Sequence, residues 1–426
     1  MKRLLMRWAL SAAAWLICAT LVFPIGALAD SRAPIRLVDI GPRTYWSENG
    51  IKKTDLSYDP WGDRTQLLQG DGAADLMVLR TYNDDFTAYV DAGLLADLSG
   101  SEFIRETVSR MAPSARAFIT ADDGRILAVP HMHGENPFYW FQDAWDAAGL
   151  TEADVPQSYE GLLDFLDMWL ERIAATPETN VCVSRLLRWN TGTERYNYCW
   201  WLLETLLMSW EMQQQYAGEA VHFDTPQFVA LAERTREIAL ALYDAEPRQR
   251  KRENMMQLFQ NDIRGGEYAN NGRDYGFSHT IPMRVTDDQP ALMAMSMELY
   301  VVREGSAWLS EASGFLESEL ADDNWRWDYT LYTDFDPNSY PESGIKQGWI
   351  DDYQSYEGTM VYYPEVFYGT RHAETSKESL MMKFFEGKVS AQGLASGLDD
   401  IIGYMPEIVE DAQPVTQAPV GGILVF

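Results

Sequence analysis

Hydrophobic patterning is clearest between Ala74 and Ile173. Leu76-Met77-Val78-Leu79 is an unbroken apolar run after the turn residues Gly70-Asp71-Gly72. A run this short between turns predicts a strand buried on both faces, as in a parallel sheet. Asp84 or Asp85 then caps a short helix with Phe86, Tyr89 and Val90 on one side, and Gly93 closes it in a left-handed conformation. Gly124 to Pro130 predicts a strand stopped by a proline, which has no N–H for the ladder. Phe138-Tyr139-Trp140-Phe141 is another apolar strand, followed by a helix that Asp143 caps and Gly149 ends. From Tyr159 the apolar residues Leu162, Leu163, Leu166, Leu170 and Ile173 fall at helical spacing, so that helix buries one face.

The flanks continue the alternation of strands and helices. Pro34 to Ile40 predicts the first strand, and only Gly41 to Asn49 separates it from the next element, too little for a full helix. Tyr45 and Trp46 in that interval, and Trp61 beyond it, are aromatic candidates either for stacking on a ligand or for plain packing. Tyr196 to Trp210 carries Leu202, Leu203, Leu206 and Leu207 at helical spacing, and Phe223-Asp224-Thr225-Pro226 begins a helix through Phe228, Leu231 and Ile238. Ser296 to Val302 predicts a strand, and Trp308 to Leu320 a helix with Ala312, Phe315 and Leu316 inward. Residues 321–365 are acidic, aromatic and turn-rich. Helical pieces follow from Ser379 to Phe385 and from Ser390 to Val409.

The first residues change the picture. Lys2, Arg3 and Arg7 precede an apolar stretch from Trp8 to Leu28, and Ala27-Leu28-Ala29 offers a small-residue cleavage site. Residues 1–29 are therefore expected to be a secretory signal, the alternative being an uncleaved anchor. Removing them takes away three positive charges and no negative ones, moving the formal charge from −30 to −33. Such acidity argues against nucleic acid or anionic membrane as a partner. Cys182 and Cys199 remain, and in an oxidising compartment they are expected to form a disulfide, with two buried thiols as the alternative.

Enzyme templates do not match. The chain has no Gly-x-Ser-x-Gly, no Walker loop, no Gly-x-Gly-x-x-Gly and no His-Glu-x-x-His. Its one cluster with metal-like character is His131-x-His133-x-Glu135. Alternate residues of an extended chain share a side, so two imidazoles and a carboxylate converge there. Such a set suits hydrogen bonds to sugar hydroxyls, or a metal, or no role at all. No cofactor is expected.

Five segments in order resemble the family 1 extracellular solute-binding proteins, the carbohydrate receptors of ABC importers. They are the Ala-Asp-hydrophobic strand Ala74 to Leu79, the turn Gly93 to Leu98, the crossover Leu127 to Pro130, the aromatic strand and helix Phe138 to Leu150, and the helix start Val155 to Leu162. The resemblance implies an α/β, two-lobed, periplasmic-binding-protein-like (type II) fold with an interlobe hinge. Residues 30–131 plus 285–325 would form lobe 1, and 132–284 plus 326–426 lobe 2. Crossings are expected near Val129 to Gly134, near Ile281 to Pro290, and after the helix ending near Leu320. An exported, monomeric receptor would close on a saccharide ligand and deliver it to ABC permease transmembrane subunits, performing no chemistry. Candidate ligand contacts are Trp46, Thr81, Tyr82, Asp84, His131, His133, Glu135, Ser296 and Glu298. A secreted carbohydrate-active enzyme and a ligand-occupancy receptor for a membrane sensor are the rival readings.

Overall fold

Two sheets, each with its own apolar core, organise the protein. The structure is a computed structural model that describes residues 32–402 except 42, 58–64, 81–84, 136–137, 177–180, 185–193, 246–255, 262–276, 322–329, 340–346, 357 and 363–375. The leader therefore lies outside the described residues. Among those described, no helix is long and apolar enough to cross a membrane.

The first sheet starts with β1 (Ile35–Val38), a single helical turn α1 (Tyr45–Glu48), and β2 (Lys53–Asp55), parallel to β1. β3 (Leu76–Arg80) pairs parallel on the other side of β1. Its Leu76, Met77, Val78 and Leu79 are all buried, as an unbroken apolar run requires of a central strand. Helices α2 (Asp85–Asp91), α3 (Glu102–Arg110) and α4 (Pro113–Ile119) pack Phe86, Tyr89, Ile104, Val108 and Ile119 into the same core. Gly93, at φ 66°, ends α2 where a side chain would be strained. The Ser101 hydroxyl caps α3 by accepting from the Ile104 N–H. β4 (Val129–Glu135) then carries the chain out of this core.

The second core comes next along the chain. Its elements are β5 (Phe138–Phe141), α5 (Gln142–Ala147), α6 (Tyr159–Ala175), β6 (Val181–Ser184), α7 (Glu194–Tyr216), α8 (Pro226–Ala245), β7 (Met256–Asn261) and β8 (Phe277–Ile281). The sheet order is β6-β7-β5-β8. Aromatic rings set the packing: Trp145 stacks on Phe165 at 5.2 Å and meets Phe259 edge-on at 5.4 Å.

β9 (Met293–Val302) returns to the first sheet and leads into α9 (Leu309–Ala321). After it come α10 (Gln347–Ser355), β10 (Met360–Tyr362), α11 (Lys377–Phe385) and α12 (Ala391–Ile401). β9 is the joint. Leu292 and Ala294 at its start belong to the second core, whereas Met297 and Leu299 to Val302 belong to the first. Along its length β9 pairs antiparallel with β4, antiparallel with β3, and parallel with β10. At Met295 both neighbours are present, Glu135 of β4 on one side and Tyr362 of β10 on the other. A three-strand ribbon thus forms the waist between the two cores.

The waist corrects several expectations. β4 does not stop at Pro130 but runs on to Glu135, because the register slips between Pro130 and Met132 and a bulge tolerates the missing N–H. Val285 and Leu292 pack in the second core rather than with lobe 1. Leu331 packs in the first core, and Met360–Tyr362 joins the first sheet, although 326–426 was expected in lobe 2. The last crossing therefore lies between Tyr362 and α11, not just after Leu320. Of the expected Cys182–Cys199 pair, Cys199 is buried on α7 in the second core, and the Cys182 side chain lies outside the described residues.

Candidate functional site

β1 lies between β2 and β3 in the first sheet, and the chain leaves it for one side before crossing to the other. In open α/β sheets, the carboxyl ends of strands at such a switch point form the ligand crevice. Here that edge carries Asp39, Arg43 and the waist strands. Asp39 is exposed and holds a left-handed φ of 58°, a conformation that short acidic side chains tolerate.

A polar cluster is assembled beside this edge from β4, β9, α9 and the loop after β1. Glu319 near the end of α9 accepts a 2.9 Å hydrogen bond from the Tyr300 phenol of β9 and lies 3.3 Å from the Arg43 guanidinium. Arg43 also approaches the phenol oxygen at 3.4 Å. His131 packs its ring on Tyr300, centroids 4.5 Å apart, and its Nε2 is 3.9 Å from a Glu298 carboxylate oxygen. These are wet side chains: Arg43 is 38% exposed, His131 27%, Glu319 20% and Glu298 15%. Tyr300 underlies them, buried against Phe315. Burial, with the charge and hydrogen bond of Glu319, holds its phenol protonated far above the usual range. The arrangement offers donors and acceptors around an aromatic edge, suited to a polar, hydroxyl-rich ligand.

The bulge in β4 decides which histidine belongs here. Without it, His131 and His133 share a side; with it, they part. His131 meets Glu298 and Tyr300, which share one face of β9. His133 stands opposite Met297, on the other face. His133 is fully buried, with Nδ1 2.9 Å from the Thr330 hydroxyl and Nε2 2.9 Å from the Tyr362 phenol. Both ring nitrogens are engaged, so His133 is not a ligand contact. Burial pushes its pKa down to about 3, and the imidazole is neutral.

The other expected contacts fare differently. Trp46 is 1% exposed and stacks on Phe315 at 4.7 Å, which makes it core rather than a sugar platform. The one-turn α1 carries it inward. Thr81, Tyr82 and Asp84 lie outside the described residues. Glu135 ends β4 opposite Met295, and Ser296 is half-buried with its hydroxyl 3.5 Å from the Gly134 carbonyl oxygen. Ser296 and Glu298 stand within β9, in the strand expected from Ser296 to Val302. Among the described residues, no group of three or more His, Cys, Asp or Glu is placed to hold a metal. Sequence reasoning missed Arg43, Tyr300 and Glu319. Only Arg43 had a local signal, since it follows the Asp39-Ile40-Gly41 end of the first strand.

No family model matches the chain, and no curated protein matches it. Solved structures do. The cyclic alpha-maltosyl-1,6-maltose binding protein from Arthrobacter globiformis superposes with a TM-score of 0.53 at 15% identity, covering 88% of this chain and 98% of that one. A sugar transporter from Bacillus licheniformis in complex with stachyose gives 0.55 at 14% identity, covering 88% and 100%. The GacH receptor of Streptomyces glaucescens, solved unliganded and with acarbose, gives 0.51 at 13% identity, covering 86% and 96%. At these identities the likeness shows the fold. The chain has the two-lobed type II periplasmic-binding-protein architecture expected from its sequence.

Proposed function

We propose that this chain is an exported solute receptor. It captures a saccharide between its two lobes and presents the closed complex to the transmembrane subunits of an ABC importer, without chemical change to the ligand. The observation that carries the reading is the half-exposed cluster of Arg43, His131, Glu298 and Glu319 at the sheet's switch point, beside a three-strand waist. Binding proteins of the same fold whose structures hold stachyose or acarbose support it.

In this reading the chain acts as a monomer in the periplasm or outside the cell. Glu298 and His131 bind sugar hydroxyls from β9 and β4, joined by Arg43, Ser296 and the segment Thr81, Tyr82 and Asp84. A hydroxyl is both donor and acceptor, so mixed acid and cation partners satisfy it better than either sign alone. Closure follows because a ligand touching both lobes binds the closed state better than the open one.

Thermal-shift screening against a panel with maltose, raffinose and stachyose tests this, followed by small-angle scattering with the best ligand. A raised melting temperature, a smaller radius of gyration and recovery of intact sugar are expected. No stabilisation by any saccharide overturns the ligand class, and a hydrolysed sugar moves the protein to the enzymes.

A further inference from the structure

The opposite face of the waist carries a second, more deeply buried network. His133 stands on β4 and Tyr362 on β10, the two outer strands of the ribbon, with β9 between them. Neighbouring strands lie about 4.8 Å apart, so the outer two are roughly 10 Å apart. Two large rings are needed to meet over the middle strand, and these two do, at 2.9 Å.

The proton positions follow from the partners. The Thr330 hydroxyl donates to the His133 carbonyl oxygen at 3.2 Å, so it accepts from Nδ1–H. Nε2 is then bare and accepts the Tyr362 O–H. The network extends outward through Thr330. The Tyr353 phenol on α10 donates to the Thr330 carbonyl oxygen at 2.8 Å. Ser114 on α4 donates to the Sδ of Met360, two residues before Tyr362, at 3.6 Å. Beneath it lie Met293, Met295 and Tyr353, a small apolar cluster separate from both main cores.

We propose that His133 and Tyr362 pin the hinge, their hydrogen bond across β9 setting the resting angle between the lobes. They are positioning residues and touch no ligand. The geometry gives the reason. β4 and β9 both run between the cores, and β10 is the last described strand before the final crossing, so interlobe rotation must bend or twist this ribbon. Any such change alters the separation of groups on its outer strands. His133 is fully buried and Tyr362 half-buried, so parting them leaves the imidazole acceptor without a partner and away from water. The inference rests on reading the waist as the hinge of a closing receptor, but its first measurement needs no ligand.

Spin labels at Glu106→Cys on α3 and Glu171→Cys on α6, in the full chain with Cys18, Cys182 and Cys199 replaced by Ala, report the interlobe distance by pulsed electron resonance. The label-bearing protein alone should give one dominant distance. Tyr362→Phe should change the ratio of interlobe populations by roughly fivefold, the effect of one net hydrogen bond. His133→Phe should change it more. Leu316→Ala, a first-core variant, should lower the melting temperature and leave the distances alone. An unchanged distribution in folded Tyr362→Phe overturns the pin, and so does an equal change in Leu316→Ala. If His133→Phe does not fold, Tyr362→Phe decides. Failure of every saccharide to bind would count against the receptor reading and leave this result standing.

Discussion

Lys377 Nζ lies 3.1 Å from Glu204 Oε1, with side chains only 6% and 5% exposed, so a buried ion pair fastens α11 to α7. Trp200 donates its indole N–H to the same carboxylate oxygen at 2.8 Å. Removing one partner strands a charge inside the second lobe. Lys377→Met should therefore cost roughly 3–5 kcal/mol, and the pair Lys377→Met with Glu204→Leu should recover much of it. Denaturant unfolding of the two variants checks this; a double variant no better than the single would refute it.

His133 gives the stability a pH dependence. The unfolded chain takes up a proton there near 6.5, whereas the folded chain resists to about 3. Protonation favours the unfolded state through that window, so stability falls as pH falls, by up to ~1.4 kcal/mol per unit from this group. Above 6.5 neither state holds the proton and the contribution is constant. Histidine-selective NMR should show the His133 ring neutral at about pH 5, below its unperturbed pKa. Titration of that ring with a midpoint near the unperturbed value would contradict the buried network.

Trp46 separates packing from ligand contact. Its ring lies between Tyr45, at 5.1 Å, and Phe315, at 4.7 Å. Trp46→Ala should cost about 3–5 kcal/mol through the cavity it leaves. Saccharide affinity measured well below the lowered melting temperature should be retained. A selective loss of affinity with stability intact would restore the stacking role.

Glu298 is the acid we expect to matter for binding. Glu298→Ala should weaken the best saccharide by about tenfold, one charge-assisted hydrogen bond, with little change in melting temperature. Calorimetry on the folded variant reads both. Unchanged affinity would remove Glu298 from the site.

Local pattern alone determined much of the architecture. The unbroken run Leu76 to Leu79 required a doubly buried strand, and the spacing from Leu162 to Ile173 required a one-faced helix; both depend on neighbours within a few residues. The ordered segments from Ala74 to Leu162 carried the two-lobed fold, which the superposed structures share. Tertiary structure decided the rest. The divergence of His131 from His133 depends on a one-residue bulge in β4, and a bulge is set by the partner strand β9, far along the chain. Burial of Trp46 depends on Phe315 arriving from α9, and the cluster at Tyr300 on Arg43 and Glu319 arriving from opposite ends of the chain. Such contacts join residues with no local period in common, so their pairing is written in the packing of the cores.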